Sequence, residues 1–324
     1  MEEDTGMNPY VFFVGCPRSG TTLLRRIGDA HPDLAVARGN RWIARTFECR
    51  RGLTREGFVT PRLIKRLSDP HRLERLAIDG RELERMLRNG AGVPFASFVT
   101  ALFDRYGERH GKRLVGEKTP GYVRHLPTLH GLWPEAKFVH ILRDGRDVCL
   151  SVLDWRKGAT SFSTFDDDPV ITTGIWWEWS VRLGLEAGSE LEAGLYHELR
   201  YESLVTDPVL ECAGLCEFLG LCYDGAMLRF HEGRMQDDPR LDAKKAWRPV
   251  TPGLRSWREQ MPHEDVVRFE AAAGGLLEQL GYARLAPSVP TKELDRAARA
   301  RDTFVREVEA RRRPLPRAWS NGAG

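Results

Sequence analysis

Residues 10 to 15, Y-V-F-F-V-G, are apolar at every position up to the glycine. A short unbroken run, as opposed to an alternating one, is the pattern of a strand buried on both faces, and therefore of a parallel sheet covered by helices. The stretch G-T-T-L-L-R-R-I-G-D-A that follows places Leu23, Leu24 and Ile27 on one helical face before His31-Pro32-Asp33 stops it. The same order of strand, glycine-containing break and helix returns at Lys137 to Leu142 (K-F-V-H-I-L), Arg143-Asp144-Gly145 and Arg146 to Trp155. Between these units, Arg113 to Gly116 predicts a short strand leading into Glu117-Lys118-Thr119-Pro120 and a helix over about Tyr122 to Gly131. Leu195 to Arg200 predicts another strand, followed by Tyr201-Glu202-Ser203 and a helix from Pro208 to Leu219. Strands alternating with helices predict an α/β fold, a doubly wound parallel sheet with helices on both faces.

About 43–110 has helical periodicity and many charges but no strong strand, and reads as a helical insertion placed to cover an acceptor site. Residues 231–260 are rich in Arg, Lys, Asp and Pro with little periodicity, and read as a functional loop. The expected organisation is one α/β domain over 1–289, then a basic helix and tail over 290–324. In I-W-W-E-W, Trp176, Trp177 and Trp179 cannot all share one helical face, so at least one is expected to point toward the insertion or a ligand.

Composition narrows the function. With 324 residues, 41% hydrophobic and 29% charged, the chain can bury a sizeable core, which excludes disordered, collagen-like and coiled-coil classes. The net charge of +3, from 49 basic and 46 acidic residues, provides no overall field that implies nucleic acid or an anionic membrane as partner. None of the six cysteines makes a C-x-x-C or zinc-site spacing, and Cys212 and Cys216, four apart on one predicted helix, read as core thiols. The N-terminal M-E-E-D-T-G-M-N-P-Y lacks the order of a signal peptide and no apolar run reaches bilayer length, so a reduced cytoplasmic setting is expected.

The break after the first strand carries the chemistry. Gly15-Cys16-Pro17-Arg18-Ser19-Gly20-Thr21-Thr22 has the G-x-x-x-x-G-x-T spacing of a phosphate-cradling loop, with threonine where such a loop usually has lysine. Backbone N–H groups and the Ser19, Thr21 and Thr22 hydroxyls can still hold a phosphate at the helix N-terminus, and the positive charge has moved to Arg18. The later strand ends in arginine instead of an acidic residue, which argues against a magnesium-dependent NTPase.

This loop resembles that of the sulfotransferases that use 3′-phosphoadenosine 5′-phosphosulfate (PAPS), in particular the tyrosylprotein and bacterial branch reading P-R-S-G-T-T, which share a P-loop NTPase-like fold. Pro17, Arg18, Ser19, Gly20, Thr21 and Thr22 match position for position. The resemblance implies that they hold the 5′-phosphosulfate and that Arg18 neutralises charge on the bridging oxygen. Arg143-Asp144-Gly145-Arg146 followed by Ser151 resembles the family's 3′-phosphate site, where Arg143 and Ser151 would hold the phosphate. Tyr201-Glu202-Ser203-Leu204 and Trp247-Arg248-Pro249 resemble two further nucleotide-binding segments, implicating Tyr201 and Arg248. Lys118, within Glu-Lys-Thr-Pro, resembles the family's catalytic lysine. No metal is implied.

The chain departs from the family pattern at the general base. Where many relatives carry a glutamate after the first helix, this sequence has Arg38, Gly39 and Asn40. His125 is the first replacement, a residue type suited to proton transfer near neutral pH. Glu48, His231 or one of Asp166, Asp167 and Asp168 are more distant ones, although that acidic triplet reads most simply as a solvated turn. His140, inside K-F-V-H-I-L, reads as a satisfied core histidine. Arg41 and Trp42, where the pocket would open, could meet an acidic or aromatic acceptor. The expected activity is sulfuryl transfer from PAPS to a hydroxyl of a small molecule or carbohydrate. The competing readings are a small-molecule P-loop kinase, and a nucleotide-binding protein of this fold without transfer activity.

Overall fold

A computed structural model describes residues 10–39, 41–67, 92–156, 158–232, 248–285 and 288–311. Asn40, Trp247, the remainder of the basic loop over 233–247, the middle of the insertion over 68–91 and the tail beyond Arg311 lie outside the described residues.

Five strands, β1 (Val11–Gly15), β2 (Leu34–Arg38), β3 (Leu114–Lys118), β4 (Lys137–Leu142) and β5 (Tyr196–Arg200), form one sheet in the order β2-β3-β1-β4-β5. Every pairing is parallel. The apolar run that predicts β1 places it at the centre, buried at all five positions. Phe12 and Val14 face one layer of helices, α2 (Trp42–Glu48), α3 (Pro61–Leu67), α4 (Phe95–His110) and α5 (Leu126–Leu132). Val11 and Phe13 face the opposite layer, α1 (Thr21–Ala30) and, after the short α8 (Tyr201–Thr206), α9 (Pro208–Leu219). A third apolar cluster joins α6 (Gly145–Trp155), α7 (Pro169–Ser189), α10 (His263–Gln279) and α11 (Thr291–Arg311).

The α/β expectation holds, with local differences. The segment expected only to end α1 and turn contains β2, one of the two edge strands, whose partners run from Leu34↔Leu114 to Arg38↔Lys118. β3 runs on to Lys118, so this lysine stands on the strand end. The helix expected over 122–131 is divided into a 3-10 turn, Pro120–Arg124, and α5, because Pro127 lacks the N–H that would continue the first turn into the second. Asp168 is no solvated turn residue: at 5% exposure it caps α7, accepting from the N–H groups of Val170 and Ile171. His140 is only half satisfied, with Nδ1 2.6 Å from the Tyr196 hydroxyl, Nε2 without a partner, and burial pushing its pKa down to about 3. All six cysteines are free, with Cys212 and Cys216 buried as core thiols. Among the described residues no helix is long and apolar enough to cross a membrane.

Candidate active site

The C-terminal ends of β1, β3 and β4 meet where ligands bind in open parallel sheets. The loop after β1 bends through two left-handed residues, Arg18 at φ 83° and Gly20 at φ 97°. Such a backbone costs a non-glycine residue about 1–3 kcal/mol, so Arg18 must be held from outside. The holding contacts come from α6, where Arg18 Nε donates to Ser151 Oγ at 2.8 Å and the guanidinium lies 5.4 Å from the centroid of the Trp155 ring. Two residues 133 positions apart, each assigned from sequence to a different phosphate, are in direct contact. Ser19, 1% exposed, has a buried hydroxyl without a hydrogen-bond partner.

Tyr201, the first residue of α8, packs against Gly20, where an added Cβ would come within 2.4 Å of the tyrosine ring. Gly20→Ala should therefore combine left-handed strain with a clash, lowering stability by about 2 kcal/mol or more and weakening nucleotide binding. Thermal denaturation with and without nucleotide would check this, and a variant as stable as the parent would contradict the packing described.

Just after β4, Arg143 stacks on the same tyrosine, 4.0 Å from the Tyr201 ring centroid. Its Nη2 is 3.4 Å from Asp147 Oδ2, and its buried Nε has no partner. Arg146 is fully engaged elsewhere: it makes a two-pronged pair with Asp144, donates to Glu270 at 2.8 Å and lies over Trp257. Of the two arginines in R-D-G-R, Arg143 therefore keeps a buried donor without a partner among the described residues, and Arg146 braces α6 against α10. Trp177 Nε1 donates to the Arg143 carbonyl at 3.2 Å, and Glu202 accepts from Asp144 N at 2.9 Å and from the Tyr282 hydroxyl at 3.0 Å. These bonds fix the turn that presents Arg143.

A further cation escaped the sequence reading. Arg255 pairs with Asp154 at 2.6 Å, and its charge acts on Arg18 and Tyr201. Burial first, then the charges of Arg255 and Arg143, push the Arg18 pKa down. Arg248, the residue assigned from sequence, is half-buried at the start of the same segment, and the charge of Arg255 reaches the loop from further along it.

On the acceptor side, Lys118 Nζ is 3.5 Å from Thr22 Oγ1, bringing the third predicted cation to the phosphate loop. Gly39 is required there, since a Cβ would lie 2.6 Å from the Lys118 carbonyl oxygen. His125 Nδ1 lies 2.7 Å from Glu48 Oε1, which also accepts from Thr128 Oγ1 at 2.7 Å. A carboxylate can only accept, so Nδ1 donates and a neutral ring keeps its lone pair on Nε2. Burial pushes the Glu48 carboxyl up, but His125, the Thr128 hydroxyl and the charge of Arg45 together outweigh it and hold the carboxyl below the usual range. Neither His231, against Phe230, nor Asp168, at the α7 cap, joins this group.

Three guanidiniums lie around this corner. Arg124 is affected first by burial, and then by the neighbouring Cys16 and the charges of Arg41 and Arg45, with the net result that its pKa is lowered. No carboxylate among the described residues forms an ion pair with Arg41, Arg45 or Arg124. No cluster of His, Cys, Asp and Glu among the described residues is arranged to hold a metal.

Comparison with known proteins gives the family and the fold. The model of the sulfotransferase family matches residues 9–225, about two thirds of the chain. The chain belongs to the sulfotransferase family. Among curated relatives, protein-tyrosine sulfotransferase A of Caenorhabditis elegans is 26% identical over 291 residues, covering 87% of this chain and 70% of the relative. Nodulation protein NoeE of Sinorhizobium fredii is 28% identical over 306 residues, covering 87% and 68%. Among solved structures, the sulfotransferase domain of the Synechococcus PCC 7002 olefin synthase superposes with a TM-score of 0.55 at 24% identity, covering 95% of this chain and 96% of that one. Within this sulfotransferase, the candidate site residues lie on the strand ends and the helices that follow them.

Proposed function

We propose that the chain transfers a sulfuryl group from PAPS to a hydroxyl on a negatively charged acceptor. The observation that carries the donor side is the pair of buried, unpartnered polar atoms, Ser19 Oγ and Arg143 Nε, at the ends of neighbouring strands. An unpartnered buried donor is costly, and anionic oxygens would satisfy both groups. The loop from Pro17 to Thr22 would hold the 5′ end, and Arg143, Ser151 and Tyr201 the 3′-phosphate. When bound, PAPS supplies the sulfuryl group. Arg18 and Lys118, which contact Ser151 and Thr22, would hold negative charge that develops on the 5′ side, where fixed donors contribute most to such reactions.

His125 Nε2 takes the proton of the acceptor hydroxyl, with Glu48 fixing the ring and stabilising the imidazolium. His125→Gln should lose about 100-fold in kcat with PAP affinity unchanged. Glu48→Gln should lower kcat less, because the imidazole itself remains. Near-parental kcat in His125→Gln would assign the proton to another group.

Arg41 and Arg124, which form no ion pair with a carboxylate among the described residues, support an anionic acceptor. A tyrosine between carboxylates has this character, and protein tyrosine is the acceptor named for several relatives. The test is transfer from PAPS, without added metal, to a tyrosine peptide flanked by Glu and Asp, against its neutral analogue, a neutral phenol and a carbohydrate. The acidic peptide should react at least about tenfold more efficiently than its neutral analogue. Equal rates would return the acceptor to the small molecules and carbohydrates expected from sequence.

A further inference from the structure

The three tryptophans of α7 have three separate duties. Trp177 fixes the Arg143 carbonyl and packs where a Cβ on Gly145 would be. Trp176 fills the space beside Gly158, in the turn after α6. Trp179, half-buried, does something different: the Arg124 guanidinium lies 5.0 Å from its ring centroid. Its remaining sides meet Phe162 at 6.4 Å and Phe304 of α11 at 5.5 Å, both edge-on, while those two rings stack on each other at 4.1 Å.

The helix carrying Phe304 is firmly seated. Arg296 pairs with Asp168 at 3.2 Å, Arg301 pairs with Glu178 at 2.6 Å, and Glu307 accepts from Ser163 N at 3.0 Å. Phe304 itself is 1% exposed. A contact path therefore runs from the C-terminal helix through Phe304 and Trp179 to Arg124, and Arg124 is beside Cys16 of the phosphate loop.

We propose that Trp179 is a positioning residue which, backed by α11, holds Arg124 in place to receive a negative charge on the acceptor. The reason is physical. An arginine side chain loses about 2 kcal/mol of rotamer freedom when fixed, so a lone guanidinium beside a pocket needs a support. A carboxylate would hold it but would also cancel its charge. An aromatic face holds the cation by its quadrupole and leaves the charge for a ligand. Among the described residues Arg124 has the second kind of support and lacks the first. The C-terminal helix thereby sets acceptor preference although it contributes no residue to the donor site.

The proposal rests on the anionic-acceptor reading, and the test separates the two. The affinity of protein loaded with 3′-phosphoadenosine 5′-phosphate (PAP) is measured by calorimetry for a tyrosine peptide flanked by Glu and Asp and for its neutral analogue. The parent should prefer the acidic peptide. Trp179→Leu should weaken the acidic peptide about tenfold and the neutral one less than about twofold, with PAP affinity unchanged. Trp179→Phe, which restores an aromatic face, should recover most of the loss, and Phe304→Ala should show the same charge-selective pattern to a smaller degree. Equal weakening of both peptides, no weakening, or failure of Trp179→Phe to recover binding would overturn the proposal. A parent that binds PAP but shows no preference between the peptides would overturn both the anionic-acceptor reading and this proposal, leaving the donor site intact. A parent that binds no PAP would instead overturn the donor reading.

Discussion

Replacing Arg143 with alanine is expected to weaken PAP binding about 100-fold or more, the usual loss when one partner of a buried charge-assisted pair is removed. Three features make this effect large. The guanidinium is 6% exposed, so its interaction with an anion is poorly screened. Its Nε has no protein partner, so its full donor strength is available to a ligand. Its plane is set by the Tyr201 ring and its backbone by Trp177, so little ordering remains to be done on binding. Arg143→Lys keeps the charge but loses the fork and the stacking, and should recover only part of the affinity. Removal also exposes Asp147, whose carboxyl burial pushes up and which Arg143 is the foremost group to hold down. Calorimetric titration of the two variants would check the account, and near-parental affinity in Arg143→Ala would place the 3′-phosphate elsewhere.

The second large effect falls on rate. Arg18→Ala should lower single-turnover transfer from PAPS about 10²- to 10³-fold, as when a fixed donor is removed from a developing charge. Nucleotide affinity should fall less, although not to zero effect, because Arg18 also holds the Ser151 hydroxyl. Arg18→Ala therefore tests a division of labour, with Arg143 mainly binding and Arg18 mainly accelerating. Ser151→Ala should weaken binding modestly and lower the rate of bound substrate less than Arg18→Ala does, since Trp155 still backs the guanidinium. Equal losses in binding and rate for Arg18→Ala and Arg143→Ala would contradict that division.

The central strands and both phosphate segments are legible in the sequence because each is a short apolar run ending at an unusual turn. V-F-F-V-G and K-F-V-H-I-L have to be buried on both faces, and the residues after them are forced to the C-terminal edge of the sheet. β2 is hidden because L-A-V-A-R is brief, weakly hydrophobic and crowded between a proline turn and a glycine, and its strand character comes from pairing with β3. The left-handed Arg18 is invisible in sequence, since its strain is compensated by Ser151 and Trp155 on a distant helix. Arg255 belongs to no motif and reaches the site only through its pairing with Asp154. The long α7 shows no single apolar stripe because it is enclosed on nearly all sides, which also explains why its three tryptophans serve three different neighbours.

The role of every residue at the strand ends follows from the identity of the donor nucleotide. Calorimetric titration with PAP beside ATP, each with and without magnesium, tests it directly. Binding of PAP at micromolar concentration without magnesium, lost in Arg143→Ala, is the predicted result. Absence of PAP binding together with magnesium-dependent binding of ATP would contradict it and put a small-molecule kinase in its place.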